Sequence, residues 1–219
     1  MTADLRPAVL FDVDGTVLDS APGIIGSLQA AMIEIGLEPA SEHRLRSDLG
    51  PPTGIMLAQV GVPEKLINDG VLAYRRHYQD HGMAKAEVYA GLTEALILIG
   101  TEYRLATATM KLTDTAAALL TLHGIRDHFE VIGGARDGIT DKSAIIAATR
   151  LALGEPDAEK MIMVGDRHSD ISGGRRNGLR TIAVTWGYGT REELEASGPD
   201  VIIDRPEELP DAVRALLDS

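Results

Sequence analysis

The 219-residue chain contains no cysteine, which removes disulfides, thiolate metal sites and cysteine nucleophiles together. Any bound metal must therefore use oxygen or imidazole ligands. No apolar run approaches the length of a bilayer span. The opening residues, Met1-Thr2-Ala3-Asp4-Leu5-Arg6-Pro7, lack the basic region and long apolar stretch of a secretory signal, so a cytoplasmic location is expected. Basic clusters are also missing: 21 Lys+Arg stand against 33 Asp+Glu, a formal charge of -12. That balance argues against nucleic acid or an anionic membrane as a partner. Internal repeats and low-complexity tracts are absent. The 44% hydrophobic content suits a globular chain of one domain with an insert, or of two modest domains.

The most informative stretch is Ala8-Val9-Leu10-Phe11-Asp12-Val13-Asp14-Gly15-Thr16, where an apolar run ends in two acids and a glycine. The run has the length and character of a buried strand, which puts the acids at its carboxyl end. Asp12 and Asp14, two residues apart on extended backbone, point to the same side, and Gly15 lets the chain turn away. Carboxylates forced together repel unless a cation joins them. The pattern points to a divalent metal beside a carboxylate nucleophile. A calcium loop of the EF-hand type is excluded, because its required glycine and glutamate positions hold Val17 and Gly23.

Residues 17–85 read as helical throughout, with expected helices from Ser20 to Gly36, Ser41 to about Leu49, Thr53 to Val60 and Pro63 to Gly82, broken by the Gly50-Pro51-Pro52 loop. From Val88 onward helices and strands alternate, which favours a parallel sheet with helices on both faces. Strands are expected at 103–108, 129–132, 161–164, 181–184 and 201–203. Thr190 and Glu193 read as a capping box, and Asp170 to Asn177 as a helix. The fold class is therefore α/β, a doubly wound parallel sheet formed by residues 1–16 and 86–219, with an inserted helical subdomain over 17–85.

Ligand sites of open α/β sheets lie at the carboxyl ends of the strands. There the chain delivers Asp12 and Asp14, then Thr109, then Lys142 opening a helix, then Gly165-Asp166-x-x-x-Asp170. In order and spacing these resemble the four motifs of the haloacid dehalogenase superfamily. The likeness covers essentially the whole chain, and the helical insert resembles that superfamily's first type of cap. The Gly50-Pro51-Pro52 loop, the run Asp166 to Gly178 and Trp186-Gly187-Tyr188-Gly189 look most like its phosphoglycolate phosphatase and 5′-nucleotidase branch.

The resemblance implies a Mg²⁺-dependent phosphatase acting on small phosphomonoesters. Asp12 is the implied nucleophile and Asp14 the acid and base; Thr109 and Lys142 contact the phosphoryl group. The metal ligands it implies are Asp12, the Asp14 backbone carbonyl, Asp166 and Asp170. Gly15, Thr16, Met110, Lys111 and the insert residues Gly50 and Pro51 are the expected substrate contacts. Lys111 is a rival or helper to Lys142 as the phosphate-neutralising cation. With a net charge that repels phosphate, such a site must supply its own local positive charge. Two departures bear on substrate rather than mechanism: Lys142 stands in Asp141-Lys142-Ser143 where many relatives have Lys-Pro-x-Pro, and Thr109-Met110-Lys111 stands where Thr-Asn-Lys is common.

His168 reads as a solvated or capping residue, and Arg46, Arg75 and Arg76 as exposed or paired side chains able to reach an anionic substrate. A phosphomutase, passing the same phosphoryl group to a sugar hydroxyl, is the nearest alternative activity. A catalytically silent binding protein of the same fold is the alternative from another class. The expected partner is a small phosphorylated metabolite, for a monomer or homodimer.

Overall fold

In the computed structural model, residues 6–218 are described. In chain order the elements are β1 (Ala8–Phe11), β2 (Leu18–Asp19), α1 (Ala21–Glu34), α2 (Glu42–Ser47), α3 (Thr53–Gln59), α4 (Glu64–His77), β3 (Glu87–Val88), α5 (Leu92–Gly100), β4 (Arg104–Leu112) and α6 (Thr113–Leu122). There follow β5 (Val131–Ala135), α7 (Lys142–Ala152), β6 (Met161–Gly165), α8 (His168–Arg176), β7 (Arg180–Val184), α9 (Arg191–Ser197), β8 (Val201–Ile203) and α10 (Leu209–Leu217). The chain divides into two compact units, one running through Leu18 and resuming at Val88, the other spanning Asp19–Glu87.

The first unit is built on a six-stranded parallel sheet in the order β5-β4-β1-β6-β7-β8. Parallel pairing needs a crossover between strands, and helices supply it. Every residue of β1 is fully buried. Since successive side chains point to opposite faces, both faces of the central strand are covered. Ala8 and Leu10 join Ala106, Ala108, Met161 and Met163 in one cluster that packs against Ile145 and Ile146 of α7. Phe11, on the alternate positions, meets Phe129 edge-to-face at 6.1 Å. The register sets Phe11 opposite Thr107 of β4 and Val164 of β6, so all three strands end at one edge. That edge carries the acids.

The second unit is helical. α1 buries Ile24, Ile25, Leu28, Ala31 and Met32, the apolar positions that recur at helical spacing. Ser41 caps α2 by accepting the Arg44 N–H. Tyr74 and Tyr78 stack at 5.5 Å. Gly50 and Pro51 lie in the turn between α2 and α3.

Several elements differ from the sequence-based expectation. The two-residue strands β2 and β3 pair with each other, where no strand signal was evident in so short a segment. The single helix expected up to Gly82 ends at His77 and continues as a π turn over Tyr78–Gly82. β4 runs on to Leu112, taking Met110 and Lys111 into the strand. β5 lies at Val131–Ala135 rather than 129–132, with Gly133 and Gly134 paired within the sheet against Ala108 and Thr109. α8 begins at His168, two residues before the expected start.

Phe129 is 2% exposed. Replacing it with Ala should lower the unfolding free energy by about 3–5 kcal/mol, and with Leu by about 1 kcal/mol, in chemical denaturation. Equal losses from the two variants would show that the cavity left behind is not the cause.

Candidate active site

The turn after β1 is tight. Thr16, Val17 and Leu18 all return their N–H groups to the Val13 carbonyl, while Gly15 N–H donates to Leu18 O at 2.8 Å. Gly15 sits at φ +85, and a Cβ there would come within 2.4 Å of the Asp166 carboxylate. Both the left-handed backbone and the close approach require glycine. The turn thereby brings Thr16 to β6, where its hydroxyl donates to Asp166 Oδ1 at 2.8 Å.

Asp12, Asp166 and Asp170 converge at the shared strand edge. All three are buried, and one carboxylate oxygen of each lies within 4.8 Å of the others. Each is held by its own donors. Asp12 Oδ1 accepts the Val13 N–H at 2.8 Å, and Asp166 Oδ2 accepts the Tyr188 N–H at 2.8 Å. Asp170 Oδ2 accepts the Arg167 N–H at 3.0 Å, capping its own helix.

Lys142, at the start of α7, is the ammonium of this cluster. Asp141 caps the helix by accepting the Ala144 N–H. Lys142 Nζ donates to Ala108 O at 2.8 Å and lies 3.1 Å from Asp12 Oδ1 and 2.7 Å from Asp170 Oδ1. The last contact is a buried ion pair, and Asp170 Oδ1 has no other partner among the described residues. Burial alone would lower the Lys142 pKa, but the charges of Asp12 and Asp170 outweigh it and raise it. Burial, reinforced by Asp170 and Asp12, raises the pKa of Asp166. Burial likewise raises Asp170, with Lys142 opposing it.

The remaining predicted residues fall into three groups. Asp14 and Lys111 form their own ion pair beside the cluster, 3.1 Å apart and largely buried. The Asp14 carboxylate is not one of the three clustered groups, which leaves only its backbone carbonyl for a metal. Thr109 is 1% exposed, and its Oγ1 accepts the Lys111 N–H at 3.2 Å. The Met110 side chain packs against the core cluster. Arg46 pairs with Glu42 at 3.3 Å and Arg76 with Glu34, while Arg75 is exposed.

Two supports were not evident in the sequence. The loop after β7 lies against Asp166: Trp186 Nε1 donates to Thr16 O at 3.1 Å, and a Cβ on Gly187 would come within 2.3 Å of both Asp166 Cβ and Gly15 O. Only a residue without a side chain fits there. The other is Glu193 on α9, whose Oε1 accepts from Arg167 Nε at 2.9 Å and from the His168 N–H at 3.0 Å, and lies 2.9 Å from His168 Nδ1. Neither set of contacts could be read from sequence, because the partners lie from 22 to 170 residues apart.

The donor set fits a hard divalent cation. Three buried carboxylates face one ammonium, and one buried carboxylate oxygen has no partner but that ammonium among the described residues. All-oxygen ligation with a net negative surplus suits Mg²⁺.

A parallel α/β sheet with clustered carboxylates and a lysine at its carboxyl edge has the architecture of a haloacid dehalogenase-type enzyme. The family model described as haloacid dehalogenase-like hydrolase matches residues 9–184, and the chain belongs to that family. It is 37% identical over 197 residues to the tyrosine-protein kinase PtkA of Mycobacterium tuberculosis, covering 89% of this chain and 67% of that one. It is 34% identical over 197 residues to a 5′-nucleotidase of Pseudomonas aeruginosa, covering 88% and 89%. Among solved structures, a haloacid dehalogenase-like family hydrolase from Streptococcus pneumoniae superposes with a TM-score of 0.90 at 28% identity, covering 94% of this chain and 98% of that one.

The raised acids set a pH dependence for the metal-free protein. Between the ordinary 3.8 of an aspartate and its raised folded value, Asp166 keeps a proton in the folded state that the unfolded chain has lost. This group's contribution to stability is therefore lost as pH rises through that window. A divalent cation bound at this cluster would have to displace the proton, so its affinity would rise with pH. Thermal denaturation at about pH 6 and about pH 8 should show a larger Mg²⁺-induced gain at the higher pH. A gain that shrinks with pH would contradict this assignment.

Proposed function

We propose that the chain is a Mg²⁺-dependent phosphatase of small phosphomonoesters that works through an aspartyl-phosphate on Asp12. The observation that carries this reading is the contact between Lys142 and Asp12 inside a ring of buried carboxylates. The ammonium beside the Asp12 carboxylate holds it in a fixed orientation and would offset charge on an incoming phosphoryl group. Belonging to a family of hydrolases supports the class of reaction, and the 5′-nucleotidase likeness supports a monoester substrate.

Asp12 attacks the phosphorus in line, and the bond from phosphorus to the ester oxygen breaks. Asp14, two residues on and partly open to solvent, gives its proton to the departing alkoxide and then takes one from the water that hydrolyses the aspartyl-phosphate. Lys111 holds the Asp14 carboxylate in place at 3.1 Å. Thr109 offers its hydroxyl to a phosphoryl oxygen, and Gly15 and Thr16 shape the turn beside it. Lys142, with Ala108, Asp12 and Asp170 around its ammonium, fixes the orientation of Asp12 and offsets its charge. The metal would be held by Asp12, Asp166, Asp170 and the Asp14 carbonyl, and when bound it neutralises charge on the phosphoryl oxygens.

We assign substrate selection to the helical unit spanning 19–87, with Gly50 and Pro51 as candidate contacts. The best substrate classes are 2-phosphoglycolate and nucleoside 5′-monophosphates. A small substrate rather than nucleic acid agrees with the formal charge of -12, and we place the protein in the cytoplasm.

Phosphate release should be measured across a panel of phosphomonoesters, with Mg²⁺ or with chelator, alongside transfer from the same esters to sugar hydroxyls. The wild type should release phosphate only with metal, and Asp12→Asn should lower the rate by at least about a thousandfold. Equal rates for the two proteins, or transfer without release, would overturn the reading.

A further inference from the structure

The Thr190–Glu193 pair is half of a capping box. Thr190 accepts the Glu193 N–H at 3.2 Å, but the Glu193 carboxylate does not complete the reciprocal bond to the start of α9. It turns instead to the start of α8, 25 residues away in sequence, where Oε1 meets the His168 N–H at 3.0 Å and His168 Nδ1 at 2.9 Å. Arg167 Nε completes the set at 2.9 Å. Burial alone would raise the Glu193 pKa, but these donors outweigh it and hold the carboxyl below the ordinary range.

The first turn of α8 thus has two acid partners with different tasks. Asp170 Oδ2 takes the Arg167 N–H, and Glu193 takes the next N–H along. Helix starts leave such donors without partners inside the helix. By fixing residues 167 and 168, Glu193 fixes the backbone on which Asp166 and Asp170 are carried. Asp170 points its other oxygen at Lys142 and the carboxylate cluster. Glu193 itself is not one of the clustered groups.

We infer that Glu193 is a positioning residue for the metal site, a carboxylate outside the ligand set that locks the Asp166–Asp170 segment in the geometry that binds the cation. This inference rests on the Mg²⁺ reading above. Partners of this kind, one layer out from the ligands, typically alter metal affinity by about ten- to a hundredfold when removed. His168 is largely exposed, so Glu193 rather than core packing holds it.

The test is calorimetric titration of Mg²⁺ into the metal-free full chain, for wild type, Glu193→Ala, Glu193→Gln and Thr190→Ala. Thr190→Ala removes only the local cap of α9 and controls for general loosening of that helix. Expected is a dissociation constant about tenfold or more weaker for Glu193→Ala, an intermediate value for Glu193→Gln, which keeps an acceptor and loses the charge, and a value within about twofold of wild type for Thr190→Ala. Phosphate release by Glu193→Ala should recover at high Mg²⁺, which a purely structural defect would not allow. If Glu193→Ala does not fold, Glu193→Gln decides. Wild-type affinity in a folded Glu193 variant, or an equal loss in Thr190→Ala, would overturn the inference. A wild type that binds no Mg²⁺ would overturn the metal reading and this inference with it, and is told apart by the first titration.

Discussion

The repulsion among Asp12, Asp166 and Asp170 is the constraint on which the rest of the site depends. Three carboxylates buried within 4.8 Å of one another are unfavourable in a low-dielectric interior unless donors and cations offset them. The protein supplies part of the offset itself. Lys142 brings one positive charge, and backbone N–H groups from Val13, Arg167 and Tyr188 each reach one carboxylate. What remains is a negative surplus confined to one sheet edge. The same surplus that destabilises the metal-free protein would give a hard divalent cation its affinity, so cost and proposed function share one origin.

The fold explains why the acids can be pressed together. β1 lies between β4 and β6 in fixed register, and the apolar run of β1 is buried completely. Burial of that strand anchors the Asp12 backbone, and Asp12 N–H donates to Val164 O at 2.9 Å, tying it directly to the strand that carries Asp166. A rigid sheet edge, unlike a mobile loop, can hold like charges at short range because no small backbone shift relieves them. The loops then refine the geometry: residues 186–188 close on Asp166 from one side, and the start of α8 presents Asp170 from another.

Much of this was legible in the sequence, and the limits have physical causes. The apolar run into Asp12 and Asp14, the strand before Asp166 and the capped start of the helix bearing Lys142 are local patterns, readable from a few neighbouring residues. The structure brings Asp12, Asp166, Asp170 and Lys142 together as their positions at strand and helix ends imply. The division of labour between the lysines was not legible, since Lys142 meets Asp12 and Lys111 meets Asp14 only through tertiary placement. β4 extends further than its apolar pattern suggested, taking in Met110 and Lys111. Glu193 looked like a local capping residue; its remote partners on α8 are invisible to any pattern of short period. The end of β5 was not legible because Gly133 and Gly134 carry no strand-forming side chain and are held by pairing partners that only the folded sheet provides.

The most direct test of the central claim is anomalous diffraction from crystals of the protein soaked in Mn²⁺, an ion with the same oxygen preference as Mg²⁺ and a usable signal. The account predicts one strong peak bonded to carboxylate oxygens of Asp12 and Asp166, next to Asp170, with Lys142 still in contact with Asp12. A peak elsewhere, or none at this cluster in a protein that hydrolyses phosphate esters with Mn²⁺, would contradict it.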